Sequence, residues 1–245
     1  MNKTQILIAL VIISIIGMSS AYLELFELVK DEPVVELEKP KIRDGEIRQY
    51  TKNKKLKTIV NYDNGIKHGT SYLYHDDGET VLLAMPYLKG KREGVSEKYY
   101  KTGKLYASTS YKDDKLHGIR KLYYSTGQLK AEINYGYGHP GIGTVEYLMD
   151  GTKNDKPKIT SEKKGSIIWL DTSLPCDDQT FYIGKLIDDQ FFNPLDENVR
   201  LLLAEEDKYY VDTQIHTPSY LKYQDIICAC ESKQGNPIIL KERLY

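Results

Sequence analysis

Residues 94–118 have the sequence GVSEKYYKTGKLYASTSYKDDKLHG, and this stretch decides the fold. Two short runs flank a turn at Gly103, and small or apolar side chains alternate along the second run. This pattern is typical of a β-hairpin, in which alternate residues share one face of the sheet. One face is therefore expected to hold Leu105, Ala107, Thr109 and Tyr111. Tyr106 is expected on the opposite face.

The same pattern recurs along the chain with a period of 24 or 25 residues. Two series of tyrosines keep this period: Tyr62, Tyr87, Tyr111 and Tyr135, and Tyr74, Tyr99, Tyr123 and Tyr147. Glycine turns keep it as well, at Gly78, Gly103, Gly127 and Gly151. A fixed period of this length indicates stacked supersecondary units. The sequence therefore predicts a mainly β protein with an elongated, single-layer antiparallel sheet of stacked β-hairpin repeats over residues 44–164.

The repeated unit has the form Gly-x4-Tyr-Tyr-x2-Gly-x-Leu-x5-Tyr-x5-His-Gly, as seen from Gly94 to Gly118. It resembles the MORN repeat variant of bacterial proteins described as YwqK-type antitoxins, and the resemblance covers about residues 44–151. The resemblance implies a β-hairpin array used for protein association or membrane proximity. It also implies a link to toxin-antitoxin systems, and it carries over no catalytic residues.

The formal net charge of -1 conceals an uneven distribution of charge. Residues 41–164 carry 24 basic and 15 acidic side chains, whereas residues 165–245 carry 7 and 14. This division indicates two structural regions that attract each other or have different partners. With 28% charged and 40% hydrophobic residues, the composition excludes wholesale disorder, a collagen and a polytopic membrane protein.

The amino-terminal residues 1–26 predict a signal peptide or a signal anchor. Lys3 precedes an apolar run from Ile6 to Ile16, and small residues lead to a cleavage point after Ala21. If the segment is not cleaved, it forms a hydrophobic helix that anchors the chain in the membrane. Residues 27–43 are expected to be a linker. The charges around the run predict export across, or anchoring in, a bacterial inner membrane, with the carboxy-terminal part outside the cytoplasm.

Lysine and arginine are abundant in the repeats and favour two interpretations. They form either a basic face for anionic headgroups or an acidic protein surface, or a solvated edge that prevents edge-to-edge pairing. The candidate recognition residues are the tyrosines outside the two periodic series and two nearby cations: Tyr72, Tyr100, Tyr106, Tyr124, Lys98 and Arg120. The expected partner is another protein or an anionic membrane surface, and no nucleic acid, because an exported protein seldom meets it.

Three histidine positions lie at turns. His68 and His117 precede glycines at equivalent places in the repeat and are expected to be architectural. The sequence His75-Asp76-Asp77 precedes Gly78, where turn chemistry explains the acids better than cation binding does. The sequence therefore predicts no metal, no cofactor and no catalytic residue.

Residues 165–245 predict a separate acidic domain, β-rich or α+β, that caps the open end of the array. Trp169, Phe191 and Phe192 are expected in its core. Three cysteines leave several alternatives open: buried thiols, one disulfide between Cys176 and a member of the pair Cys228 and Cys230, or a two-thiol metal or redox site.

These observations predict a noncatalytic exported or membrane-anchored repeat scaffold that mediates protein-protein or membrane-surface association. The alternative is an antitoxin or immunity protein that neutralises a partner toxin. A second alternative is a hydrolase or redox enzyme located in the carboxy-terminal domain.

Overall fold

A computed structural model describes residues 44–205, 208–216, 218–222 and 224–244. The predicted signal segment 1–26, with its hydrophobic helix, and the linker 27–43 lie outside the described residues. In the described part of the chain, no helix is both long enough and apolar enough to span a bilayer.

Residues 45–146 form one antiparallel sheet of 13 strands. Its strands are β1 (Gly45–Tyr50), β2 (Leu56–Asp63), β3 (Ile66–Lys67), β4 (Gly69–Tyr74), β5 (Val81–Leu88), β6 (Lys91–Arg92), β7 (Gly94–Tyr99), β8 (Leu105–Lys112), β9 (Lys115–Leu116), β10 (Gly118–Tyr123), β11 (Leu129–Gly136), β12 (His139–Pro140) and β13 (Val145–Glu146). Four hairpins, β1-β2, β4-β5, β7-β8 and β10-β11, follow one another in the sheet. The predicted mainly β array of stacked hairpins is thus confirmed.

The strand register assigns each side chain to one of the two faces of this sheet. One row of partners crosses the sheet in the order Leu73, Leu83, Lys98, Ala107, Leu122, Ala131 and Glu146. On this face Ala107, Leu122, Ala131, Ile133 and Tyr135 form a buried apolar cluster. The opposite face holds a second row: Arg48, Ile59, Tyr72, Ala84, Glu97, Ser108, Lys121 and Glu132. The array core is therefore a stripe along one face.

Each hairpin contains a β-bulge next to its turn, and this corrects the expected position of Tyr106. In the β7-β8 hairpin, Lys98 pairs with Ala107 and Tyr99 pairs with Leu105, so Tyr106 is left without a partner. A bulge of this kind re-aims the extra side chain. Tyr106 packs against the cluster that contains Ala107. The expectation of simple alternation, with Tyr106 on the opposite face, was wrong at this residue.

The carboxy-terminal region contains two antiparallel sheets of four strands each. Its elements are β14 (Ile159–Lys164), β15 (Ile167–Thr172), β16 (Asp177–Gly184), β17 (Val199–Leu201), β18 (Leu203–Glu205), β19 (Lys208–Asp212), the short helix α1 (Pro218–Leu221), β20 (Asp225–Glu231) and β21 (Pro237–Glu242). The strand orders are β14-β15-β19-β18 and β17-β16-β20-β21. The region is β-rich, as predicted. It begins earlier than residue 165, because β14 pairs with β15 and not with the array.

The main core of this domain draws on both sheets. Ile168 and Val211 of the first sheet belong to the same buried cluster as Phe181 and Ile226 of the second. Trp169, expected in the core, alternates with Ile168 and lies half-buried on the outer face of the first sheet. The expectation for Trp169 was therefore wrong.

A disulfide joins Cys176 to Cys230, with Cα atoms 5.8 Å apart, and leaves Cys228 as a free, buried thiol. Among the alternatives that the sequence left open, the structure therefore selects the one with a single disulfide. Both Cys228 and Cys230 lie in the main core cluster of the domain.

The carboxy-terminal domain caps the last hairpin of the array. The ring of Phe191 lies directly on the backbone of Gly136 and Gly141, where an added Cβ would come within 2.5 and 2.8 Å of ring atoms. The amide of Phe192 donates a hydrogen bond of 2.9 Å to the carbonyl of Pro140. Phe192 itself is buried, as expected, in a second cluster that the half-buried Ile142 joins. Only glycine lets the aromatic ring approach the chain this closely.

Polar contacts at this junction centre on Glu146. Its buried carboxylate accepts hydrogen bonds of 2.5 Å from the hydroxyl of Ser232 and from the side-chain amide of Asn236. The opposite charges of the two regions predicted an ionic attraction. Within the described residues, however, no recorded ion pair joins the array to the domain. The junction is held by the close packing of Phe191 on the two glycines and by hydrogen bonds.

Candidate functional site

The face of the array that carries the buried stripe also carries several positively charged side chains. We call it the basic face and define it by four cations in register with the stripe: Lys67, Arg92, Lys98 and Arg120. Among the described strand residues of this face, Glu146 is the sole acid. Its carboxylate is hydrogen-bonded to Ser232 and Asn236 of the carboxy-terminal domain. The opposite face, which mixes Arg48 and Lys121 with Glu97 and Glu132, is called the mixed face.

Two of the four cations serve the stacking of the hairpins. The ammonium of Lys67 lies 4.9 Å from the ring centroid of Tyr87, and the guanidinium of Arg92 lies 4.6 Å from that of Tyr111. Arg92 also donates to the carboxylate of Asp114 at 3.1 Å. Hydrogen bonds from the backbone and the guanidinium of Arg92 lower the pKa of Asp114. Sequence reasoning missed this role, although Lys67 and Arg92 keep the repeat period.

Lys98 and Arg120, unlike Arg92, have no acidic partner among the described residues. Lys98 is exposed, with its ammonium 5.2 Å from the ring centroid of Tyr106, and Arg120 is half-buried. The Nε atom of Arg120 is shielded from solvent and has no hydrogen-bond partner among the described residues. Neither residue forms a salt bridge with a described side chain. Their strands, β7 and β10, both flank β8, and Arg120 lies two residues from Leu122, which shares the row of Lys98. The two Cα atoms are therefore about 12 Å apart on the sheet.

Tyr100 and Tyr106 lie together beside Lys98. Their ring centroids are 5.1 Å apart in an edge-to-face arrangement. The Tyr100 hydroxyl donates a hydrogen bond of 2.8 Å to the carbonyl of Tyr123. Burial raises the pKa of Tyr100. Tyr100 therefore has a structural bond at its hydroxyl, and Tyr106 supplies the apolar surface next to the cation.

Tyr124 repeats the arrangement of Tyr100 one hairpin later. Its hydroxyl donates to the carbonyl of Tyr147 at 2.8 Å, and Lys130 lies 5.8 Å from its ring centroid. His75 holds the equivalent place one hairpin earlier, where its Nε2 atom is 3.2 Å from the carbonyl of Tyr99. The shared spacing of 25 and 24 residues among these three positions was a signal that sequence reasoning overlooked.

Tyr72 is separated from the other candidate residues. It pairs with Ile59 and Ala84 and therefore lies on the mixed face. There its neighbour Tyr99 donates a hydrogen bond of 2.6 Å to Glu97, and this bond raises the pKa of Tyr99 to about 12. The predicted set is thus divided. Five of its members lie on the basic face or in the turns next to it, whereas Tyr72 lies on the mixed face.

The acidic turn after β4 is explained by backbone chemistry. The carboxylate of Asp77 accepts hydrogen bonds of 2.9 Å from the amides of Glu79 and Thr80. These bonds lower the pKa of Asp77 to about 2. Within the residues that the structure describes, no group of three or more His, Cys, Asp or Glu side chains is arranged to hold a metal ion.

The fold and this surface define a β-hairpin repeat scaffold. The MORN repeat variant family model matches three segments of the array, residues 43–64, 92–113 and 116–136. These segments contain the first, third and fourth hairpins. The β4-β5 hairpin has the same pairing and bulge, although it carries Pro86 within its second strand. No curated protein matches the chain.

Proposed function

We propose that this chain is an exported, noncatalytic repeat scaffold whose basic face binds an acidic segment of a partner protein. The observation that carries the proposal is the pair Lys98 and Arg120, two cations on one face that have no acidic partner among the described residues. MORN variant repeats support a binding scaffold in general terms. The geometry of Lys98 and Arg120 supports the choice of the basic face and of an acidic partner.

The half-buried guanidinium of Arg120 favours a carboxylate partner. A cation that is partly removed from water loses solvation, and a buried donor without a partner is costly. A planar carboxylate can accept two hydrogen bonds from a guanidinium, whereas the exposed ammonium of Lys98 acts as a point charge. The edge-to-face pair of Tyr100 and Tyr106 offers apolar surface beside these charges. An acidic segment with an apolar or aromatic residue next to its carboxylates fits this arrangement.

An anionic membrane surface is the other partner that this chemistry admits, because phosphate also pairs with guanidinium and ammonium groups. We favour a protein partner because Arg120 is half-buried and its Nε atom is shielded from solvent, so a flat headgroup layer would reach it poorly. The test compares two probes on the full chain: a fluorescein-labelled peptide of ten glutamates, and vesicles of phosphatidylglycerol and phosphatidylcholine. Saturable peptide binding that weakens with salt supports the proposal. Vesicle flotation without peptide binding overturns it in favour of the membrane.

Export is proposed from two independent features. The apolar run from Ile6 to Ile16 predicts translocation, and the Cys176–Cys230 disulfide belongs to an oxidising compartment. The test is to trap free thiols with an alkylating reagent in intact bacteria that express the full chain or a chain lacking residues 1–26. Disulfide formation in the full chain and its loss in the shortened chain are expected. A disulfide in both chains, or in neither, contradicts export.

Neutralisation of a toxin is a second proposal, and it rests on the resemblance of the repeats to the antitoxin family. A toxin with an acidic surface could occupy the same basic face. Coexpression with the product of a neighbouring gene tests this idea, since an antitoxin restores growth that the toxin alone prevents. Unchanged growth inhibition would remove the antitoxin role and leave the scaffold proposal intact.

Thiol chemistry in the carboxy-terminal domain is disfavoured. Burial raises the pKa of Cys228 to about 12, so its nucleophilic thiolate is scarce near neutral pH. The other two cysteines are joined in the disulfide. We therefore propose no enzyme that acts through a cysteine thiolate.

A further inference from the structure

The outer face of the β14-β15-β19-β18 sheet carries an open cleft of about 720 Å³. This volume lies within the range of small-molecule sites. The cleft belongs wholly to the carboxy-terminal domain and is separate from the basic face of the array. Trp169 lines it, together with polar and charged side chains from neighbouring strands.

Trp169 gives the cleft an aromatic wall. It is the chain's only tryptophan, and it lies half-buried on a sheet face that the domain core does not use. It pairs across strands with Tyr210, and the two ring centroids are 5.3 Å apart with a tilt of 56°. An aromatic pair in contact with solvent retains both an apolar surface and a polar tip. Such a surface suits the apolar C–H face of a sugar ring.

Hydrogen-bonding groups at one end of the cleft are held in place by their neighbours. The amide of Gln179 donates to the carboxylate of Asp171 at 3.5 Å, and its oxygen accepts from the hydroxyl of Thr172 at 3.1 Å. The Asp171 carboxylate also accepts the Thr172 amide at 2.7 Å. These planar groups are exposed or half-buried and keep lone pairs and donors for a further partner. They are therefore preorganised to bind vicinal hydroxyl groups.

The charge of the cleft argues for a neutral occupant. Its described lining contains three carboxylates and two ammonium groups, from Glu162, Asp171, Glu205, Lys164 and Lys208. Glu162 and Lys164 already pair with each other at 3.0 Å. Opposite charges are thus interspersed, and the lining offers no field of one sign to attract a polyanion or polycation. It offers many hydrogen-bond donors and acceptors instead.

We propose that this cleft binds a neutral oligosaccharide. One sugar ring stacks against Trp169, and its hydroxyl groups bond to Asp171 and Gln179. This binding does not depend on the basic face, and it gives the scaffold a second, independent attachment point. An acidic peptide or a nucleotide fits the cleft less well, because Glu162, Asp171 and Glu205 outnumber the lysines.

Because Trp169 is the only tryptophan, its fluorescence reports on this cleft directly. The full chain is titrated with cellotetraose, maltotetraose and the tetramer of N-acetylglucosamine, and binding is confirmed by calorimetry. At least one of these sugars is expected to give a saturable change in emission. Gln179→Ala retains the reporter and should weaken binding about tenfold or more. Trp169→Ala should abolish the calorimetric signal.

The control is Tyr220→Ala, which removes an exposed aromatic side chain of the same domain outside the cleft. It should bind the sugar as the wild type does. The proposal is overturned if none of the three sugars gives a saturable change, or if Trp169→Ala binds unchanged while circular dichroism shows a folded chain. It is also overturned if a glutamate peptide or ATP produces the change and the sugars do not.

Discussion

The hydroxyl of Tyr100 donates a hydrogen bond of 2.8 Å to the backbone carbonyl of Tyr123, one hairpin further along the array. Tyr124 makes the same bond to the carbonyl of Tyr147. The first bond links the turn of the third hairpin to the fourth hairpin, and the second links the turn of the fourth hairpin to the residue after β13. The tyrosine excess in this chain therefore stabilises the stack through hydroxyl groups as well as rings.

Removal of these hydroxyl groups should loosen the stack. Tyr100→Phe and Tyr124→Phe each delete one hydrogen bond and leave a carbonyl without its partner, at a cost of about 1 kcal/mol. Tyr106→Phe is the matched control, because no hydrogen bond from its hydroxyl is recorded among the described residues. Urea denaturation of the three variants measures the free energy of unfolding. Equal stability of all three would contradict the stacking role.

A methyl group at Gly136 should disturb the junction with the carboxy-terminal domain. Its Cβ would lie 2.5 Å from the ring of Phe191, so Gly136→Ala forces the ring to move and should cost roughly 1–3 kcal/mol. In a chain that already carries Phe191→Ala, the same substitution should cost much less. The double-mutant cycle, measured by thermal unfolding, gives the coupling between the two positions. A coupling near zero would mean that Phe191 does not occupy this place.

Glu146 should be essential for the same junction. Glu146→Ala leaves Ser232 and Asn236 without the carboxylate that joins them to the array, and should destabilise the protein by roughly 2–4 kcal/mol. Glu162→Ala is the control, because it removes an exposed carboxylate whose ion pair contributes about 0–1 kcal/mol. Urea denaturation and limited proteolysis between residues 147 and 158 provide the measurements. If both variants behave alike, the buried network is not what holds the junction.

The repeat period predicted the array because it sets four hairpins in the same pattern, as the pairs Gly94 with Tyr111 and Gly118 with Tyr135 show. Alternation failed at Tyr106, since a bulge depends on how two strands meet at their turn and leaves little trace in one strand. Trp169 was assigned to the core because large aromatic residues are usually buried. Only the pairing of β15 shows that its neighbours Ile168 and Leu170 face the core instead.

The sequence suggested candidate residues for the surface but not how the structure groups them. Lys98 and Arg120 were chosen because the repeats are rich in lysine and arginine and because both residues lie near the candidate tyrosines. Lys67 and Arg92 contact tyrosine rings of the next hairpin, and Arg92 also pairs with Asp114. The ring next to Lys98 belongs to its own hairpin. A single sequence shows the period, but it does not show which aromatic ring or carboxylate contacts each cation.

The disulfide should be a major source of stability in the carboxy-terminal domain. It closes a loop between residues 54 apart, which corresponds to about 4 kcal/mol of stabilisation. Thermal unfolding with and without a phosphine reductant, and thermal unfolding of Cys230→Ser, should show the loss of this stability.

The free thiol of Cys228 should react with Ellman's reagent at pH 8 only after unfolding, because burial raises its pKa to about 12. Rapid labelling of the native protein would contradict both assignments.

The central claim concerns which face of the array binds an acidic partner. The most direct measurement is the fluorescence anisotropy of a labelled ten-glutamate peptide titrated with the full chain and two double variants of equal net charge. Lys98→Ala with Arg120→Ala alters the basic face, and Arg48→Ala with Lys121→Ala alters the mixed face. The account predicts about a tenfold or greater loss of affinity in the first variant and about twofold or less in the second. Equal losses in both variants, or no binding by the unaltered chain, would contradict it.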